Sequence, residues 1–167
     1  LTAAGRQAFA PLDRRSQDFA TSLLASLGPR QRERLTGAMA EVERLMRAAS
    51  VTVEVADPAG ADARSCIGAY LRGLHGRFGH GFDASLGPSA DPQELVPPSG
   101  VLLLARLDDA ALACGALKVI GPGLGEIKRM WVAPAARGLG IAQRLLDELE
   151  AHARGMALTT LRLDTNR

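Results

Sequence analysis

Aromatic side chains are scarce: six in 167 residues, with one Trp and one Tyr among them. Single-stranded nucleic acid is bound by stacking successive bases on such rings, so that ligand class is not expected. Cysteine is scarcer still. Cys66 and Cys114 make neither a disulfide framework nor a metal quartet, and a reduced, cytoplasmic setting is the default. No run of about 18 apolar residues occurs, so nothing reads as a membrane span. No basic-then-apolar leader precedes a small-residue cleavage site, and secretion is not expected. Excess charge is missing as well. Twenty Lys and Arg against 18 Asp and Glu leave a net charge of +2, too little to demand a polyanionic partner.

What is present is a globular composition, 47% hydrophobic and 23% charged. Ala and Leu supply most of the hydrophobic residues, which favours helices over an all-β sandwich. Residues 1–49 carry eight Arg against five acids, whereas residues 50–167 are close to neutral. The chain begins at Leu1 and stops at Asp164-Thr165-Asn166-Arg167, straight after a strand-like segment. A piece of a longer protein is therefore expected.

Two helices open the chain. Thr2 is placed to cap the first, whose apolar positions Phe9, Leu12, Phe19, Leu23 and Leu27 share one face. Gly28-Pro29 stops it. The second carries Leu35, Ala38, Met39, Val42, Leu45, Met46 and Ala49 on one face. Two helices cannot cover both stripes between them, so the hairpin either packs onto the rest of the chain or pairs with a second copy. Pairing is the favoured reading, a homodimer through residues 3–49.

Residues 50–167 read as a second domain. Val51–Val55 alternates as a strand, and Asp62 is placed to cap a helix with the stripe Ile67, Tyr70, Leu71, Leu74 and Phe78. Asp91-Pro92 starts a short helical turn. Strands are expected at 101–107, 112–119, 126–132 and 158–163, with turns at Asp108-Asp109 and Gly121–Gly125. A helix with Ile141, Leu145, Leu146 and Leu149 on one face lies before the last strand. The fold class is α/β of the α+β type. A mixed, largely antiparallel sheet has its last two strands parallel across that helix.

Between strand and helix lies Arg137-Gly138-Leu139-Gly140-Ile141-Ala142. Glycines let a backbone approach a ligand closely. A helix start offers unpaired amides and the positive end of the dipole, suited to a pyrophosphate. Arg137 adds a fixed charge and a planar donor fork. No Gly-Lys-Ser/Thr and no G-x-G-x-x-G follows, so neither a Walker A loop nor a dinucleotide fingerprint is present. The alternative is that the glycines merely ease a tight link.

The run Glu126-Ile127-Lys128-Arg129-Met130-Trp131-Val132, then Pro134, Arg137, Gly138, Gly140 and Ala142, resembles the fourth strand and pyrophosphate loop of GNAT N-acetyltransferases. The family's loop is Arg/Gln-x-x-Gly-x-Gly/Ala, and every fixed position matches. Leu163-Asp164-Thr165-Asn166 is similar to the end of the family's fifth strand. The likeness covers roughly residues 51–167. Leu1-Thr2-Ala3-Ala4-Gly5-Arg6 and the helices to residue 49 resemble the dimerisation helices of MarR-type transcription regulators.

The resemblance implies an acetyl-CoA-dependent transfer of acetyl to an amine, on a small molecule or a protein, with no metal. It implies coenzyme contacts from Met130, Trp131, Val132, Arg137, Gly138, Leu139, Gly140, Ile141, Ala142 and Asn166. It also implies that DNA is met only through a winged helix lying before Leu1. The alternative is a non-enzymatic module that senses acyl-CoA for a dimeric DNA-binding regulator. Glu126 falls where several family members carry the general base. Strand alternation puts it on one face with Lys128, Met130 and Val132, and Lys128 would keep it charged and weaken it as a base. The alternative for Glu126 is a solvated strand carboxylate. Asp83, Asp91 and Glu94 are further candidates for attracting a cationic amine. Cys66, Cys114 and Tyr70 read as core residues, and His75, His80 and His152 lack ligand spacing. The family's last helix and strands are absent after Arg167, so a poor catalyst is expected of this chain alone.

Overall fold

The computed structural model describes residues 2–76 and 90–163. The chain divides into two compact units, Leu1–Arg44 and Leu45–Arg167.

In the first unit, α1 runs Ala3–Ala25 and α2 begins at Pro29, continuing to Ala49. Thr2 caps α1 as expected, its Oγ1 accepting from the Gly5 amide at 3.1 Å. Gln31 Oε1 accepts from the Gly28 amide at 2.9 Å and closes the turn. No residue of either helix is buried. Phe9, Leu12, Phe19 and Leu23 on α1, and Leu35, Met39, Val42, Leu45 and Met46 on α2, all stand exposed.

The second unit is built on one sheet in the order β1 (Thr52–Val55), β2 (Gly100–Leu107), β3 (Ala110–Gly121), β4 (Leu124–Val132), β5 (Thr160–Arg162). The first four strands pair antiparallel, and β4–β5 is parallel. This is the mixed sheet expected from the sequence, with a shorter last strand. Two helices flank it, α3 (Ala61–His75) and α4 (Ile141–Gly155). One correction concerns the start of α3. Gly60 is its N-cap residue, and Asp62 lies in the first turn, where it takes a hydrogen bond from Arg106 at 2.7 Å.

The apolar run in β2 reads as continuous because both of its faces are covered. Val101, Leu103 and Ala105 join Ile141, Leu145 and Leu149 of α4 in one core, while Leu102 and Leu104 join Ala63 and Cys66 of α3 in the other. Leu145 is completely buried. Leu145→Ala is expected to cost about 2–5 kcal/mol and to lower Tm by about 5–15 °C in a calorimetric scan. An unchanged Tm would show that α4 does not anchor this unit.

β4 breaks the alternation read from the sequence. Ala116 pairs with Lys128, but Cys114 pairs with Trp131, so Arg129 and Met130 together oppose Gly115. That is a β-bulge, and Arg129 sits in it at φ 56°. The extra residue reverses which face each later side chain takes. Ile127, Met130 and Val132 pack toward α4, while Trp131 packs with the α3 core. Glu126 and Lys128 therefore do not share a face with Met130 and Val132, contrary to the simple alternation. A Cβ at Gly115 would come 2.7 Å from the Met130 sulfur, so the Met130 side chain would have to shift to admit one.

Candidate active site

The glycine loop joins β4 to α4. Gly138 at φ 80° and Gly140 at φ 72° are both left-handed, a conformation costly for side chains with a Cβ. Gly140 is the N-cap residue and contributes no side-chain cap. The first intrahelical bond beyond it runs from the Arg144 amide to the Gly140 carbonyl at 3.2 Å, so the amides of Ile141, Ala142 and Gln143 precede the helical ladder. A Cβ placed at Gly140 would meet nothing within 4 Å. Buried Ile141, Leu145 and Leu149 fix the helix behind this open start. Leu139 is partly buried against the same core. An uncapped start, two left-handed glycines and open space form a cradle that fits a pyrophosphate.

β4 supplies the adjoining edge. Its pairing with β5 covers only Leu124, Gly125 and Glu126, opposite Thr160, Leu161 and Arg162. Among the described residues, β4 continues to Val132 beyond the last residue in register with β5. The Ala133 amide donates to the Leu112 carbonyl of β3 at 2.8 Å, so by alternation the amide of the preceding Val132 points the other way, away from β3. Arg137 Nε donates to the Val132 carbonyl at 3.4 Å, which lays its guanidinium at the end of β4, three residues before the N-cap Gly140. The structure thus brings together Met130, Val132, Arg137, Gly138, Gly140, Ile141 and Ala142. Trp131, by contrast, turns its ring into the α3 core. Asn166 and Asp83 lie outside the described residues, as do Phe78 and His80.

Where β4 and β5 part, the α3 side of the sheet carries a row of charges. Lys118, Glu126 and Arg162 are register partners across β3, β4 and β5. Glu126 is not a solvated carboxylate, since its side chain is only 5% exposed. Lys128 Nζ approaches it at 3.0 Å, as the sequence spacing suggested, and Arg162 Nη2 at 3.7 Å. Sequence reasoning missed Lys118 and Arg162 because they meet Glu126 only after the strands pair. Glu94 is not aimed at an amine either. It pairs with Lys118 at 2.7 Å and closes a capping box with Asp91, and these two hydrogen bonds hold its carboxyl below the usual range.

The remaining candidates behave as structure. Cys114 is buried, its Sγ donating to the Arg129 carbonyl at 3.3 Å, and burial pushes its thiol up to about 12. Burial also raises the Cys66 thiol and the half-buried Tyr70 phenol. Among the described residues no three His, Cys, Asp or Glu side chains are grouped to hold a metal ion. No helix there is long and apolar enough to cross a membrane.

Known proteins resemble this chain over part of its length. It is 42% identical over 76 residues to the IAA acetyltransferase of Azospirillum brasilense, covering 45% of this chain and 50% of that protein. A candidate acyl-CoA N-acyltransferase from Klebsiella pneumoniae subsp. pneumoniae is 31% identical, with a TM-score of 0.53 over 68% of this chain and 70% of that one. An aminoglycoside 6'-N-acetyltransferase solved with coenzyme A shares the fold at 17% identity, with a TM-score of 0.54 over 68% of this chain and 61% of that one. The chain spans about half the length of the curated relatives it matches. The model of the acetyltransferase (GNAT) family matches residues 71–167, and with the bulged fourth strand and the glycine loop in place, this chain belongs to that family.

Proposed function

We propose that the chain is the catalytic part of an acetyl-CoA-dependent N-acetyltransferase. The observation that carries the reading is the left-handed pair Gly138 and Gly140, opening the start of α4 at the end of β4 that runs beyond its described register with β5. The amides of Ile141 and Ala142, with Gly138, Leu139 and Gly140, take the pyrophosphate, and the Arg137 guanidinium neutralises it. The Met130 and Val132 backbone pairs with the amides of the pantetheine arm, Trp131 holds that stretch of β4 against the α3 core, and Asn166 is assigned to the coenzyme as well. Acetyl-CoA supplies an activated thioester carbonyl. The backbone amide of Val132 or of the bulge beside it stabilises the oxyanion formed there. Glu126 accepts the proton of the attacking amine, through a water because it is buried, and as the new C–N bond forms the C–S bond breaks, releasing coenzyme A as a thiolate that takes its proton from water.

The ion pairs of Glu126 favour a second reading, in which the module binds acyl-CoA as a sensor without turnover. Calorimetric titration with coenzyme A and thiol release over a panel of amines separate the two. Binding with turnover supports the enzyme, binding without turnover supports the sensor, and no binding defeats both.

We assign residues 3–49 to a dimerisation segment of the MarR type, in a cytoplasmic regulator that meets DNA through a winged helix outside this chain. The exposed stripes of α1 and α2 support a homodimer, since apolar surface of this extent is a liability unless covered. Leu23→Glu is expected to give monomers or insoluble protein in light scattering. A soluble monomer in the unaltered chain at micromolar concentration would overturn the assignment.

A further inference from the structure

We infer, on the transferase reading above, that Arg129 is a positioning residue for acetyl transfer: its guanidinium, anchored on the Ala90 carbonyl, holds the β4 bulge that turns the Val132 amide outward. The bulge decides which amides of β4 are open. The Ala133 amide bonds to Leu112 of β3, and antiparallel bonding recurs at every second residue. Leu112, Ala116 and Lys118 are even steps apart on β3, so the partners of the last two, Lys128 and Glu126, bond to β3 as Ala133 does. Without the extra residue, Val132 would continue the series of Glu126 and Lys128 and turn its amide to β3. With it, that amide points away from β3, where the pantetheine arm and the oxyanion are assigned.

The conformation is costly for the residue that adopts it. Arg129 sits at φ 56°, in a region that a side chain with a Cβ disfavours. Such strain persists only where the surroundings over-determine it. Two contacts from outside β4 do so. Arg129 Nη2 donates to the Ala90 carbonyl at 2.6 Å, and Cys114 Sγ of β3 donates to the Arg129 carbonyl at 3.3 Å. The first is charge-assisted, the stronger kind of hydrogen bond. Its acceptor is also a fixed point. Ala90 is 2% exposed and shares a core with Leu95 and Leu102, and the adjoining Asp91 closes the capping box of the turn Pro92–Leu95. Pairing with β3 makes the bulge, and the Arg129 side chain ties it to this buried point on the α3 side of the sheet. With its guanidinium engaged there, Arg129 acts on the reaction through the backbone of β4.

The test measures kcat by thiol release at saturating acetyl-CoA, coenzyme A affinity by calorimetry, and folding by circular dichroism. Arg129→Ala keeps the strain and loses the anchor, and kcat is expected to fall by about ten- to a hundredfold. Coenzyme A affinity should fall by less, since the glycine loop is untouched. Arg129→Gly loses the same anchor but adopts the left-handed backbone freely. The smaller residue should therefore exceed Arg129→Ala in kcat by about fivefold or more. Arg129→Lys keeps a charged donor and should recover part of the loss. Unchanged kcat in Arg129→Ala, Gly or Lys variants no better than Ala, or a loss confined to coenzyme A affinity would each overturn the assignment. If Arg129→Ala does not fold, Arg129→Met, with a stem but no donor, takes its place. A kcat below that of Arg129→Lys then supports the clamp, and an equal one overturns it. If the parent turns over no amine, the amide–Hα nuclear Overhauser effect at residue 129, strong at positive φ, decides. Its loss in Arg129→Ala or Arg129→Met keeps the clamp while the transferase reading falls. Its persistence there removes the clamp.

Discussion

Gly140→Val is expected to weaken coenzyme A binding by more than about a hundredfold. The residue sits at φ 72°, and a β-branched side chain in the left-handed region is a genuine outlier. Open space surrounds its would-be Cβ, so crowding within the protein is not the cause. The loss has two sources. Strain moves the helix start away from its present geometry, and the isopropyl group fills the space through which a phosphate reaches the amides. Arg137→Ala removes a charge-assisted hydrogen bond worth roughly 1.5–3 kcal/mol, an expected loss of about ten- to a hundredfold. Titration calorimetry reads both, with circular dichroism to show that α4 remains folded. Parent-like affinity in the two variants would remove the pyrophosphate assignment.

Changes at Glu126 act on stability and on turnover together. Glu126→Ala leaves Lys128 Nζ, now 3.0 Å from the carboxylate, without that partner beside two further cations, Lys118 and Arg162. Removing one member of a buried pair costs roughly 3–5 kcal/mol, and the exposure of Arg162 reduces this to about 2–4 kcal/mol. Chemical denaturation should show that loss. Replacing both partners, Glu126→Leu with Lys128→Met, should recover much of it, because two well-packed apolar groups leave no orphan charge. Glu126→Gln keeps the shape, and as the proton acceptor it should lower kcat by about 10²–10⁴-fold. A kcat within a factor of three of the parent would assign the proton to another acceptor, and Glu126 would then be only a partner for its cations.

The glycine loop was legible because its signals are local. Gly138, Gly140 and the apolar spacing of Ile141, Leu145 and Leu149 depend on backbone dihedrals and on one helix turn at a time. The β2–β3 turn at Asp108-Asp109 was legible for the same reason, and Asp108 does take a left-handed φ of 53°. Asp62 misled because a good capping residue two positions late looks the same in sequence. Its carboxylate was already committed to Arg106 from another strand.

Local chemistry in the sequence by itself therefore determined the order of elements, the mixed sheet, the cradle at the start of α4 and the apolar stripes on α1 and α2. The tertiary structure alone decided which faces they show. The bulge at Arg129 arises from how β4 meets Gly115 on β3, and no residue within β4 announces it. One extra residue reverses every side chain after it, so the face of Met130 and Val132 is a property of the pairing and not of the strand. The row of Lys118, Glu126 and Arg162 exists only because three strands far apart in sequence come into register. Burial of Glu126 among those cations follows from that register, because a carboxylate's surroundings are set by what packs across from it rather than by its neighbours along the chain.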